Sequence, residues 1–166
     1  GYLIPNYLIK KSLYKRLQSI SNLHLINKVE CVSIEENKNY SSILLSNGTQ
    51  IKASLVVAAD SRFSKIRSKM GISTFIRDFD KNMIVCRMKH EKPHENIAYE
   101  FFRYTQTQAS LPYIKNQSSI VTTVPKDATS TLMKISEKKF NKEVQENFNN
   151  FFGKMELIGK RYSYPM

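Results

Sequence analysis

Few side chains in this sequence stand where their chemistry could be used, and Asp60 leads them. It opens the polar turn Asp60-Ser61-Arg62 directly behind an apolar run, Leu55–Ala59. A carboxylate at the mouth of a strand that feeds a helix can accept hydrogen bonds from the ribose hydroxyls of a nucleotide. It can equally accept them from the backbone N–H groups of its own turn, as part of an ordinary strand–turn–helix connection. His90-Glu91-Lys92-Pro93-His94 matches the H-E-x-x-H zinc pattern in letters. That site needs both histidines on one helical face, one turn apart, with the glutamate as general base. Pro93 would break a helix there, and the flanks read as strand. The segment is therefore expected to be a polar loop joining two strands, and no metal site is expected. A third ligand is missing apart from Glu95 or the distant His24. The sequence holds no G-x-G-x-x-G, no Walker A loop and no G-x-S-x-G, and its three scattered histidines give no basis for a Ser/His/Asp triad. No catalytic acid or base is nominated. Cys31 and Cys86 each sit in an apolar strand-like run and are expected to be buried free thiols, consistent with a reducing compartment.

The elements that must position these groups can be read in order. Asn6 is placed to cap a helix from Tyr7 to about Ile20, with Ile9, Leu13 and Leu17 repeating on one face. Leu23–Ile26 and Val29–Ile34 read as strands. Tyr40–Leu45 and Gln50–Ala53 read as a hairpin around Asn47-Gly48. Leu55–Ala59, rich in β-branched residues, suits a strand buried on both faces. Ser64 then caps a helix over Lys65–Met70, and Gly71 stops it. Beyond Gly71 longer strand patterns dominate, at Met83–Met88, Asn96–Phe102, Ala109–Ile114 and Ser118–Val124, and these predict an antiparallel sheet. Pro125 breaks it. Ser136 caps a helix with Phe140, Val144, Phe148 and Phe151 or Phe152 on one face, Gly153 ends it, and Met155–Tyr164 is a last strand.

The 166 residues carry 26 Lys and Arg against 14 Asp and Glu, a net charge of +12. The cations are scattered, the densest groups being Lys10-Lys11, Lys65–Lys69 and Lys138-Lys139. A nucleic-acid surface would concentrate them in a stripe with interleaved aromatics. The charge reads as a solvated surface with weak attraction to anionic lipid or an anionic ligand. A non-catalytic basic module for nucleic acid or anionic membrane is the competing reading, and no specific nucleic-acid partner is expected. No apolar run approaches the roughly 20 residues of a membrane-spanning helix, and no signal peptide is visible.

Taken together the residues resemble a known family. Gly1-Tyr2-Leu3-Ile4-Pro5-Asn6 with Leu13 and Leu17 resembles the entry to the second half of the flavin domain in flavoprotein aromatic hydroxylases, most nearly the ubiquinone-biosynthesis hydroxylases. Leu44–Thr49 with Leu55–Arg67 resembles that family's L-x-D-G … L-V-V-G-A-D-G-x-x-S-x-x-R segment. His90–His94 with Ala98-Tyr99-Glu100-Phe101-Phe102 is similar to its H-E-x-P-H … A-x-E-x-F segment. Ala109–Pro112, Thr123-Val124-Pro125, Phe140 and Arg161–Pro165 continue the match in order.

The resemblance implies an α+β and α/β fold, a piece of the two-domain FAD-dependent hydroxylase architecture. Residues 1–72 would be the second half of an FAD-binding domain, without its G-x-G-x-x-G unit. Residues 73–166 would be an antiparallel substrate-domain sheet with a covering helix. The chain would correspond to the middle of such an enzyme. The implied reaction is FAD-dependent, NAD(P)H-using hydroxylation of an aromatic ring on a polyprenylated ubiquinone precursor. The implied partners are the missing half of the enzyme and other ubiquinone-synthesis proteins, in the cytoplasm or peripherally at the inner face of the membrane. The resemblance places Asn6 at a polar position facing the flavin, Val29 by the adenine, and Asp60 in the dinucleotide-contacting turn. Ser61 stands where the family has Gly. If that position needs φ > 0, it costs about 1–2 kcal/mol. Phe101, Phe102 and Tyr113 are candidates to line a substrate pocket, with packing as the preferred reading.

Overall fold

The computed structural model describes residues 2–166, so Gly1 of the N-terminal motif lies outside it. The chain forms two units: Tyr7–Ile76, and Arg77–Met166 together with the N-terminal segment through Asn6.

In the first unit α1 (Asn6–Gln18) is followed by β1 (Cys31–Glu36), β2 (Ser41–Leu45), β3 (Gln50–Ala53) and α2 (Lys65–Lys69). The strands form one antiparallel sheet in the order β1-β2-β3. Asn47-Gly48 makes the β2–β3 turn as the dipeptide predicts. Gly48 takes φ +83°, a conformation costly for other residues, and Asn47 Oδ1 accepts from the Thr49 N–H at 3.1 Å. Ser64 caps α2 by accepting from the Arg67 N–H at 3.0 Å, and Gly71 follows at φ +67°.

Four expectations fail here. Leu23–Ile26 forms no strand. Leu55–Ala59 is extended but joins no ladder, and Leu55 and Val57 are 77% and 76% exposed rather than buried. An apolar run becomes a buried strand only when neighbours supply both its hydrogen bonds and its cover, and the described residues supply neither. Cys31 is half-buried, its thiol donating to the Ser33 carbonyl, whereas Cys86 is buried as expected. The stripe Ile9–Leu13–Leu17 falls on α1, but only Leu17 is even half-buried.

In the second unit the alternation of the sequence is realised most fully along β7 (Gln117–Pro125). It contains β4 (Lys81–His90), β5 (Tyr99–Phe102), β6 (Thr107–Pro112), β7 (Gln117–Pro125), α3 (Lys126–Lys134), α4 (Glu137–Asn147) and β8 (Met155–Pro165). The sheet is antiparallel throughout, in the order β5-β6-β7-β4-β8. Ile84, Cys86, Met88, Ile120 and Val124 point to one face, where α3 and α4 cover them with Leu132, Phe140, Val144 and Phe148. Phe148 meets Phe101 and Phe152 edge-on at 5.2 Å, and each such ring buries about 1.5–3 kcal/mol of apolar surface. Gln108, fully buried, ties the helix to the sheet: its Nε2 donates to the Val144 carbonyl at 2.9 Å and its Oε1 accepts from Thr122. Arg161 lies over the Phe140 ring and donates to the Leu132 and Ile135 carbonyls at 2.7 and 2.9 Å, satisfying the end of α3. The intervening residues of β4, β6 and β7 face the other way, on a side that no helix of this unit covers.

Candidate functional site

Each unit contains one candidate site. In the first, Asp60 sits exposed in the turn before α2, and its Oδ2 accepts from the Ile66 N–H at 3.4 Å. The Ser64 hydroxyl, joined by the backbone N–H groups of Ile66, Asp60 and Lys65, holds its carboxyl below the usual aspartate value against the opposing effect of desolvation. Asp60 is thus ionised and tied to its own turn, with the rest of the group open to solvent. Ser61 is not among the residues with positive φ, so the strain that a Gly-requiring turn would impose does not arise. Its Oγ instead accepts from the Phe63 N–H at 3.2 Å. Val29 is half-buried just ahead of β1, between left-handed Lys28 (φ 59°) and Glu30. Its neighbourhood is fastened to the Asp60 helix: Lys65 lies 4.0 Å from Glu30, and Lys69 Nζ donates to the Cys31 and Val32 carbonyls. The structure therefore brings the Val29 and Asp60 segments together. A cavity of about 530 Å3 beside them is lined by Leu55, Val56, Ser61, Ser64, Ile66 and Arg67, among others.

In the second unit a cavity of about 430 Å3 opens on the uncovered sheet face. Its wall is Val85 and Arg87 of β4, Ser119 of β7, and Ile158, Lys160 and Tyr162 of β8. Tyr113 stands at one side, and Leu3–Asn6 borders it. Asn6 thus lies at a cavity, as an exposed residue at the start of α1. Cross-strand register explains the set, since Arg87 pairs with Ser119 on one side and Ile158 on the other. The Arg87 guanidinium lies 4.4 Å from the centre of the Tyr113 ring.

The three aromatic candidates divide. Phe101 is packed between Phe148 and Phe151, Phe102 is exposed on β5, and Tyr113 lines the cavity. Sequence reasoning missed Arg87, Ser119, Lys160 and Tyr162. The alternation about Cys86 could have placed Arg87 on the open face. Lys160 could not have been found that way, because a bulge at Gly159 precedes it.

The H-E-x-x-H segment starts on the last residue of β4, His90, and runs on as a loop from Glu91, with no helix across Pro93. Both histidines are buried. His90 Nδ1–H donates to the Lys92 carbonyl at 2.6 Å and Nε2 accepts from Ser118 at 3.0 Å. His94 Nδ1 accepts from the Asn96 N–H, which leaves Nε2–H as a buried donor with no protein partner among the described residues. Burial is the main reason the His90 pKa is lowered. Glu91 faces Gly153 and Lys154, away from any catalytic arrangement. Among the described residues no three His, Cys, Asp or Glu side chains gather as a metal site, and no helix is long and apolar enough to cross a membrane.

The fold is one shared with solved flavin-dependent enzymes, among them an FAD-dependent monooxygenase and a halogenase. The fold is indeed similar to that of PqsL, a probable FAD-dependent monooxygenase from Pseudomonas aeruginosa. The TM-score is 0.72 at 12% identity, over 95% of this chain and 47% of that one. The sequence narrows the likeness further. The chain is 33% identical over all its 166 residues to the ubiquinone hydroxylase UbiM of Neisseria meningitidis, covering 36% of that protein. It is 29% identical over its full length to the ubiquinone hydroxylase UbiL of Rhodospirillum rubrum, covering 39% of it. No family model matches the chain. The resemblance to ubiquinone-biosynthesis hydroxylases thus holds along the whole sequence, and the chain spans under two fifths of the length of these two curated relatives.

Proposed function

We propose that this chain is the central stretch of an FAD-dependent, NAD(P)H-using monooxygenase that hydroxylates an aromatic ring of a polyprenylated ubiquinone precursor. The observation that carries the proposal is the unbroken similarity of all 166 residues to ubiquinone hydroxylases, on a fold of the flavin-monooxygenase type. Residues 1–72 are assigned to the flavin side and 73–166 to the substrate side.

The Asp60 turn fits a dinucleotide in that its carboxylate is exposed and ionised, and Ser61 carries no backbone strain. Asp60 would accept from ribose hydroxyls, with Val29 beside the adenine and Asn6 toward the flavin ring. Bound FAD, once reduced by NAD(P)H, would supply the activation of O2. The protein's own contribution is to position and to exclude water. Val85, Ile158 and Tyr162 offer an apolar wall to a ring, and Ser119 and Tyr113 offer polar handles. Leu55–Ala59, extended and unpaired, is assigned to a parallel sheet completed by the rest of the enzyme. Work at the inner face of the membrane, in the cytoplasm and among other ubiquinone-synthesis proteins, follows from a polyprenylated substrate.

Disrupting the reading frame in its host and profiling quinone precursors by mass spectrometry tests the proposal. Accumulation of a precursor lacking one ring oxygen, reversed by the intact gene, is expected. An unchanged quinone profile would overturn it.

A further inference from the structure

Two cations enter the sheet-face cavity by two different structural routes. Arg87 reaches it by strand alternation, its neighbours Cys86 and Met88 pointing into the core on the opposite face. Lys160 reaches it through a β-bulge. The β4–β8 register jumps between Val85 and Arg87, so that Ile158 and Tyr162 flank three residues of β8 opposite Cys86. Gly159 takes φ +78° within that bulge, Lys160 turns to the cavity, and Arg161 turns inward to α3. Bulges re-aim side chains in this way beside functional sites.

No acid balances the pair. The twelve residues lining the cavity include Arg87 and Lys160 but no Asp or Glu. Among the described residues neither cation has a carboxylate within ion-pair distance. The Tyr113 ring holds the guanidinium 4.4 Å from its centre without using its planar fork of donors. Leu3, Ile4, Pro5, Val85, Ile158 and Tyr162 make most of the remaining lining apolar or aromatic, and Asn6 and Ser119 are its neutral polar members.

We infer that Arg87 and Lys160 form an oxyanion subsite that fixes the acidic oxygen of the substrate ring. The ligand class is an alkylated aromatic ring bearing one ionisable oxygen group, a phenolate or a carboxylate. The apolar wall takes the ring and the two cations take the charge. This rests on the monooxygenase reading and adds to it the residues that choose and orient the ring.

The test is a pH titration of a 2-alkyl-4-nitrophenol bound to the full chain, read from the colour of its phenolate. An opposite charge a few ångströms away lowers such a pKa by about one unit or more, a tenfold shift in ionisation. Arg87→Gln is expected to abolish most of that shift, Lys160→Gln a smaller part, and Arg87→Lys to retain some. An alkylbenzoate competitor that displaces the probe more tightly than an alkylphenol identifies a carboxylate; the reverse order identifies a phenolate. No shift in the parent chain, a shift unchanged in Arg87→Gln, or no binding by a chain whose circular dichroism shows it folded would overturn the inference. The precursor profile of the disrupted host stands apart from these outcomes, so a failed subsite and a failed monooxygenase reading are distinguishable.

Discussion

Replacing Gly153 by Ala tests what the H-E-x-x-H segment does. Gly153 sits at φ +67°, and a Cβ there would lie 2.6 Å from Glu91 Oε2 and 3.0 Å from Glu91 Cβ. The left-handed backbone alone costs an L-residue about 1–2 kcal/mol. The contact would also push Glu91 off the Lys154 N–H, which it now accepts at 3.1 Å, removing a hydrogen bond to an ionised group worth about 1 kcal/mol at an exposed position. Gly153→Ala should therefore destabilise by about 2–3 kcal/mol. With a urea m-value of about 1–3 kcal/mol/M, that lowers the unfolding midpoint by roughly 0.7–3 M. In a Glu91→Ala background the carboxylate contact and its hydrogen bond are gone and only the backbone cost and the tight 3.0 Å approach to the residual Cβ remain, so the same change should cost about 1 kcal/mol less. Urea unfolding of the four proteins, followed by circular dichroism, gives that cycle. A Gly153→Ala variant within about 0.5 kcal/mol of the parent, or an equal cost in both backgrounds, would refute Glu91 as a clasp between the loop and β8.

Arg161→Met should cost about 2 kcal/mol, since it unmakes two charge-assisted bonds to the end of α3 and the contact with Phe140; chemical denaturation measures it. The Cys86 thiol, pushed up to about 12 by burial, should resist alkylation at pH 8 until the chain is unfolded, as mass spectrometry of the labelled peptide would show. His90 is held neutral, with its folded pKa below the unfolded value. Stability should fall as pH drops through the unfolded value of about 6.5 and level off below the folded one, a slope that His90→Gln removes in urea midpoints taken across that range. The chain alone should bind FAD only weakly, because its sequence carries no pyrophosphate cradle; micromolar affinity by flavin fluorescence would contradict this.

What could be read from the sequence depended on whether the information was local. Asn47-Gly48, Ser64 and Ser136 each act on backbone within three residues of themselves and behave as their residue types dictate, whereas the helix stop expected at Gly153 comes earlier: α4 ends at Asn147, and Asn149 and Asn150 take the left-handed conformation. The alternation along Gln117–Pro125 and the aromatic stripe of α4 set the faces of the sheet and helix, because period and burial agree there. Leu55–Ala59 failed for the complementary reason. Its apolar run specifies burial, but burial needs partners outside the run, and none of the described residues pairs with it. The place of Asp60, exposed in the turn before α2, was legible because an acidic turn after an apolar run is a local pattern. The Arg87–Lys160 pair was not, since it depends on a register jump between strands some seventy residues apart in sequence.

The central claim is an oxygen-inserting reaction on an aromatic ring, and isotopic oxygen tests it most directly. The protein expressed from its complete reading frame, supplied with FAD, NAD(P)H and an alkylated phenolic ring, should place one atom of 18O from 18O2 into the product. The label should vanish when NAD(P)H is omitted. Product oxygen drawn from water, or no hydroxylated ring at all from folded, flavin-loaded protein, would contradict the account.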